Sequence, residues 1–173
     1  MAAPDINSNY YIMQSYGGWS PCIEGNNTYG LLPFAGSVLP NCVGYICGRF
    51  NELLHENACT YFGSVNARNL YALGVSQGLS TGNDPVVGGV ICFDTDYLGH
   101  AVVIESIIDN DTVVVSESGW RYTTGPVVKS YTMYRVNGVW QYQGGTYQGI
   151  VYPPVSVGTD DYYMLFLDEE GFN

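Results

Sequence analysis

The chain has 173 residues, of which 46% are hydrophobic, 14% aromatic and 12% charged. This composition excludes a disordered or coiled-coil chain, and the length suits one domain that buries its own core. The formal net charge is −11 with only five basic residues, which disfavours binding to nucleic acid or to an acidic membrane face, because both are themselves anionic.

The cysteine count and the first residues bear on where the chain is made. Five cysteines are an odd number, so a full disulfide framework is excluded, which fits synthesis in a reducing cytoplasm. Residues 1–11 lack the basic start and apolar core of a signal peptide, and no apolar run approaches the roughly 20 residues of a membrane span. We therefore expect no export route in the sequence itself.

The first 40 residues are rich in Asn, Gly, Ser and Pro and are predicted to be mostly loops. From Asn41 to about Asn57, apolar side chains recur every three or four residues, which predicts an amphipathic helix. Asn41 directly follows a proline and is a good N-cap for that helix. This cap places Cys42 in the first helical turn.

Beyond this helix the pattern changes toward strands. Residues 66–73 are predicted to form a second short helix, and residues 78–85 a loop. Val, Ile, Thr and Tyr then dominate five segments separated by turn residues, which predicts strands at 86–93, 101–108, 112–117, 127–136 and 146–152. Helices followed by antiparallel strands predict an α+β domain over residues 1–154. Residues 155–173 form an acidic tail that is an edge strand, a docking tail or a linker.

Cys42 is the strongest candidate for chemistry, although a cysteine also serves as a small apolar core residue. Unpaired N–H groups and the helix dipole at a helix N-terminus favour a thiolate over a thiol. Cys47, five residues further along, is expected to be core. A cysteine nucleophile needs a base, and His55 would lie about 20 Å away along the same helix. If a catalytic pair exists, it is therefore Cys42 with His100.

The imidazole needs a third group to orient it, and the candidates are Glu105 and Glu117. Glu105 is an odd number of positions from His100 and should point to the opposite face of the strand. If Ile108 pairs with Asp111 across a two-residue turn, Glu117 lies opposite Val102, diagonal to His100 on the same face. A different loop length would turn Glu117 away.

Other chemistries have little support. The sequence contains no C-x-x-C pair, no H-E-x-x-H and no calcium loop, so no metal site is predicted. The glycines of GYICGRF follow no predicted strand and precede no Gly-Lys-Ser/Thr, which argues against a phosphate-binding loop.

The blocks LPNCVGYICGRFNELL, PVVGGVICFD, GHAVVIESI and VVVSESGW resemble, in this order, the CHAP family of cysteine amidohydrolases and peptidases, in particular the modules of phage endolysins and virion-associated lysins. The resemblance implies a papain-like α+β fold, with Cys42 as nucleophile, His100 as base and Glu117 as the acid that orients the histidine. Many relatives have an Asn two residues after the Glu, where this chain has Gly119.

The resemblance implies a peptidoglycan hydrolase that cleaves an amide bond as an endopeptidase or N-acetylmuramoyl-L-alanine amidase and needs no cofactor. It would be phage-encoded, located in the host cytoplasm before release or in the virion, and would act on the cell wall. Aromatic faces bind sugars and peptides well, so four side chains are candidates to line the substrate groove: Trp19, Tyr45, Trp120 and Trp140.

Two other functions stay open. The first is a non-catalytic structural or adaptor protein that contacts phage virion proteins, which the acidic charge favours because cell walls are anionic. The second is a toxin or effector amidase that acts on another peptide.

Overall fold

The computed structural model describes residues 3–20, 36–55, 62, 65–119 and 128–154. Two 3-10 helices, Asn9–Tyr11 and Gln14–Tyr16, lie in the otherwise irregular N-terminal part. Helix α1 spans Cys42–Leu54, and helix α2 spans Leu70–Ser76 directly after a 3-10 turn. Both predicted helices are therefore present. Helix α1 ends before its predicted limit because His55 adopts a left-handed conformation with φ of 49°.

Within the described residues, seven strands form a single antiparallel sheet in the order β1-β7-β2-β3-β4-β5-β6. Their bounds are β1 Thr81–Gly82, β2 Val90–Thr95, β3 His100–Asp109, β4 Thr112–Ser118, β5 Val128–Val136, β6 Val139–Trp140 and β7 Gly145–Val151. The α+β prediction is confirmed. Among the described residues no helix is long and apolar enough to cross a lipid bilayer.

The five predicted strands are all present, and two short ones were missed. Strands β1 and β6 have two residues each, too few for an alternating pattern to reveal. Strand β2 begins at Val90 rather than residue 86, because the amide of Gly89 bonds back to the carbonyl of Val86 at 2.8 Å and closes a turn.

The apolar side chains form two buried clusters. The first includes Ile46, Cys47 and Phe50 of α1 together with Ala101 and Val103 of β3. The second cluster is formed by the alternate side chains of the sheet strands, which point to the other face of the sheet. Its members include Ile91, Phe93, Val102, Ile104, Val113, Val115 and Ile150. The prediction that Cys47 is a core residue is confirmed, since it is completely buried.

The β3–β4 hairpin matters most for the site, because β3 begins with His100 and β4 carries Glu117. Its turn is one residue later than predicted, with Asp109 rather than Ile108 as the last paired residue of β3. Two register shifts within the hairpin compensate, so that Val103 pairs with Ser116. At the His100 end, the predicted register is therefore correct although the predicted turn is wrong.

Candidate active site

Cys42 is the first residue of α1, as the sequence predicts. The Asn41 side chain accepts hydrogen bonds from the amides of Val43 at 2.9 Å and Gly44 at 3.1 Å. This cap fixes the first turn, and the helix dipole directs its positive end at the sulfur. Cys42, Cys47 and Cys92 are all free cysteines. Cys42 is partly exposed, whereas Cys47 and Cys92 are buried.

His100 and Glu117 form a close buried pair. The imidazole Nε2 lies 2.6 Å from Oε2 of Glu117, and the two residues are 8% and 6% exposed. An ionised carboxylate only accepts hydrogen bonds, so Nε2 is the donor. This bond leaves Nδ1 as the ring nitrogen available to the sulfur.

The side chain of Cys42 lies near enough to the imidazole of His100 to raise the pKa of that ring. Burial lowers the pKa of His100, but Cys42 and Glu117 raise it by more, so that the pKa is about 9 rather than 6.5. At neutral pH the ring is therefore an imidazolium beside the sulfur. The structure brings together the three residues that the sequence predicted as nucleophile, base and orienting acid.

The serines on either side of Glu117 join its strand to α1 and to the segment just before it. Ser118 donates a hydrogen bond to the carbonyl of Leu39, three residues before Cys42. Ser116 donates to Glu105, and its Oγ lies 2.6 Å from the hydroxyl of Tyr45 in α1. Successive side chains of a strand alternate in direction, so these anchors leave Glu117 on the other face.

A buried ion pair joins α1 to β3 behind the site. Arg49 is 1% exposed, and its Nε and Nη2 lie 3.1 and 2.6 Å from the two carboxylate oxygens of Glu105. Glu105 therefore engages α1 and does not approach His100, as its position in the strand predicted. Arg49 also pairs with Glu52 at 2.7 Å.

Two tyrosines complete the surroundings of the His100–Glu117 pair, and neither was predicted. Tyr131 of β5 donates a hydrogen bond to Oε2 of Glu117 at 3.1 Å. The ring of Tyr142 stacks on the imidazole with centroids 4.8 Å apart and an interplanar angle of 20°. The sequence predicted a strand that contains Tyr131 next to the strand of Glu117. It did not predict the register between these two strands, so it could not place Tyr131 beside Glu117.

Comparison with known proteins places this arrangement in a family. Residues 33–119 match the CHAP domain, a range that contains Cys42, His100 and Glu117. The staphylococcal secretory antigens SsaA of Staphylococcus aureus strains NCTC 8325 / PS 47 and Newman are each 30% identical to this chain over 139 residues, covering 73% of it and 52% of the relative. The chain belongs to the CHAP domain family.

The chain spans about half the length of these curated relatives, since the aligned part covers 52% of each. Among solved structures, it is similar to an N-acetylmuramoyl-L-alanine amidase from Staphylococcus aureus, with a TM-score of 0.46, 15% identity and coverage of 64% of this chain and 30% of that one.

Two of the aromatic residues that were predicted to line a groove are buried in the core. Tyr45 is completely buried, and its ring stacks on Tyr11 with centroids 5.8 Å apart, so the prediction that it lines a groove is wrong. Trp140 is 1% exposed and is also core. Both positions fall on the inward face of their element, which the aromatic character alone could not reveal.

Trp19 is partly exposed but lies away from the sulfur. Its ring packs edge-on against Tyr10 at 4.9 Å, and the Tyr10 hydroxyl lies 3.1 Å from Nδ1 of His55. Because His55 directly follows the last residue of α1, this group is at the opposite end of the helix from Cys42, about 20 Å away. The role of Trp19 in lining a substrate groove stays a prediction. Trp120 and the tail 155–173 lie outside the described residues.

Proposed function

We propose that this CHAP domain is a peptidoglycan hydrolase that cleaves an amide bond by cysteine nucleophilic catalysis. The observation that carries the proposal is the position of His100, whose Nε2 lies 2.6 Å from Glu117 and whose pKa is raised by the neighbouring Cys42 side chain. A thiolate, an imidazolium and an orienting carboxylate are the groups that amide cleavage by a cysteine needs.

The reaction follows from the protons that these groups hold. The Cys42 thiolate attacks the amide carbonyl, and the His100 imidazolium gives its proton to the departing amine, which leaves a thioester and a neutral imidazole. That imidazole then takes a proton from water as the water attacks the thioester. This step releases a carboxylic acid, which loses its proton to solvent, and regenerates the ion pair.

The developing oxyanion needs hydrogen-bond donors. The Asn41 cap engages the amides of Val43 and Gly44 and leaves the amide of Cys42 itself as our proposed first donor. A second donor would come from the loop that precedes Asn41.

The target bond is either the N-acetylmuramoyl-L-alanine link or an amide of the stem or cross-bridge. On the resemblance to lysins we also propose a phage origin, with the chain free in the host cytoplasm before release or associated with virion proteins. Purified walls of several chemotypes should be cleared by the native chain in a zymogram and not by Cys42→Ala.

The second candidate is a binding or adaptor module of a phage particle. The net charge of −11 favours it, because an acidic protein is repelled by an anionic wall. This candidate predicts no clearing by the native chain on any wall type.

A further inference from the structure

We infer that Tyr131 is a positioning residue, whose hydroxyl holds the Glu117 carboxylate in the orientation that His100 requires. This inference deepens the proposed function and rests on it for the role of the His100–Glu117 pair. The contact on which this role rests is the hydrogen bond from the Tyr131 hydroxyl to Oε2 of Glu117.

The two hydrogen bonds to Glu117 converge on one atom. Oε2 accepts from Nε2 of His100 at 2.6 Å and from the Tyr131 hydroxyl at 3.1 Å. The terminal torsion of a glutamate is broad, so the backbone does not fix how the carboxylate is rotated relative to the imidazole. A second donor on the oxygen that faces the imidazole restricts that rotation.

The register of β5 places Tyr131 for this purpose. Glu117 pairs with Lys129, and Val115 pairs with Tyr131, so Tyr131 is the diagonal neighbour of Glu117 on the same face of the sheet. Its ring packs against the second buried cluster, which restricts the hydroxyl to one region.

Three other residues near the His100–Glu117 pair do not take the role that we propose for Tyr131. Lys129 lies directly across β5 from Glu117 and is exposed, so solvent weakens its charge there. Tyr142 contacts the ring of His100 rather than the carboxylate. Gly119, two residues beyond Glu117, has no side chain to offer. Tyr131 is thus the side chain whose hydroxyl the structure places on Oε2.

The test compares Tyr131→Phe with Tyr134→Phe, a matched control that removes the same atom three residues along the same strand. Tyr134 is 56% exposed and is remote from the site. Thermal unfolding and the amide NMR spectrum of both variants establish that the fold is retained.

Two readouts require no wall hydrolysis. The first is the alkylation rate of the Cys42 peptide by iodoacetamide near pH 6.5, followed by mass spectrometry. The second is the imidazole NMR titration of His100, which is assignable because the chain has only two histidines and His55→Gln identifies the other.

Tyr131→Phe should slow Cys42 alkylation about tenfold, the effect of losing one hydrogen bond to a charged group, and should move the pKa of His100 down from about 9 toward 6.5. Where walls are cleared, it should lower kcat by a similar factor with KM unchanged. Tyr134→Phe should match the native chain in every readout.

Glu117→Gln provides the second test. If Tyr131 acts through Glu117, adding Tyr131→Phe to Glu117→Gln changes neither the alkylation rate nor the titration further, because the coupling is already lost. An equal additional effect in that background, or a native-like Tyr131→Phe, overturns the inference. Native chains that clear no wall refute the proposed function alone, since the alkylation and NMR results stand independently.

Discussion

His100 is the residue on which the proposed chemistry depends, because it must give a proton to the departing amine and then take one from the attacking water. Two side chains contact its ring directly. Oε2 of Glu117 lies 2.6 Å from Nε2, and Tyr142 stacks on the imidazole. A stacked aromatic face also favours the cationic form of the ring. The imidazolium is thus stabilised by Glu117, by Tyr142 and by the neighbouring Cys42 side chain.

The first prediction concerns pH. The pKa of His100 is raised to about 9, so the imidazolium that protonates the leaving amine is present below that pH and is lost above it. Wall hydrolysis by the native chain should therefore fall as the pH rises through about 9.

Glu117→Gln should shift this alkaline decline to lower pH, since Glu117 is one of the groups that raise the pKa of His100. The control is Asp109→Asn, which removes a carboxylate at the far end of β3 and should leave the profile unchanged. Initial rates across a pH series at constant ionic strength decide between these outcomes, and an identical decline in Glu117→Gln would contradict the assignment.

At this scale the sequence predicted the three polar residues but not their tyrosine neighbours. Cys42 was recognisable because a helix cap is local, and His100 because few histidines exist to choose from. Tyr131 and Tyr142 belong to a chain with 16 tyrosines, and only the three-dimensional register distinguishes these two from the rest.

At the scale of elements, the N-terminus of α1 positions the sulfur through the Asn41 side chain. Asn41→Ala should lower the free energy of unfolding by about 1 kcal/mol, since it leaves two amides of the first turn without their acceptor. It should also reduce activity, because Cys42 is the next residue.

Asn69→Ala is the matched control, because Asn69 is the N-cap of α2 but makes no capping hydrogen bond with its side chain. Chemical denaturation of both variants measures the difference. Equal destabilisation by the two substitutions would show that the capping hydrogen bonds of Asn41 do not contribute to the free energy of unfolding.

The second prediction at this scale concerns the ion pair between α1 and β3. Glu105→Leu removes the bidentate partner of Arg49, whose side chain is 1% exposed, and should cost about 3–5 kcal/mol because a buried guanidinium is left undercompensated.

The exposed pair of Arg68 with Asp94, at 3.2 Å and with side chains 38% and 50% exposed, is the comparison. Asp94→Ala should cost at most about 1 kcal/mol, as exposed pairs do. Urea titrations of the two variants give both values, and a small effect of Glu105→Leu would mean that the buried pair does not hold α1 on the sheet.

The β3–β4 hairpin shows how far element-level prediction reaches. Alternation along the strands correctly separated Glu105 from Glu117, because side-chain direction follows from the backbone alone. The turn was misplaced by one residue, since Asp, Asn and Asp in succession at 109–111 allow several turns. The compensating register shifts arise from tertiary packing, which local sequence does not encode.

In the molecule as a whole, the helix and the sheet supply different residues of the candidate active site. Helix α1 presents the sulfur, and β3 and β4 present the imidazole and the carboxylate. Ser118 and Leu39 join these parts next to the site, and Arg49 and Glu105 join them behind it. The fold class was predictable from the order of helices and strands, whereas the burial of Tyr45 and the distance of Trp19 from the site required the three-dimensional packing.

In the proposed function the sulfur of Cys42 attacks an amide bond of the cell wall. The decisive measurement is mass analysis of the soluble fragments released from purified peptidoglycan, with the native chain and Cys42→Ala compared at equal concentration. The native chain should release fragments with a newly formed carboxylate and amine at one type of amide bond, and Cys42→Ala should reduce that release by on the order of a thousandfold or more. The same fragments from both chains, or none from the native chain on any wall, would contradict the account.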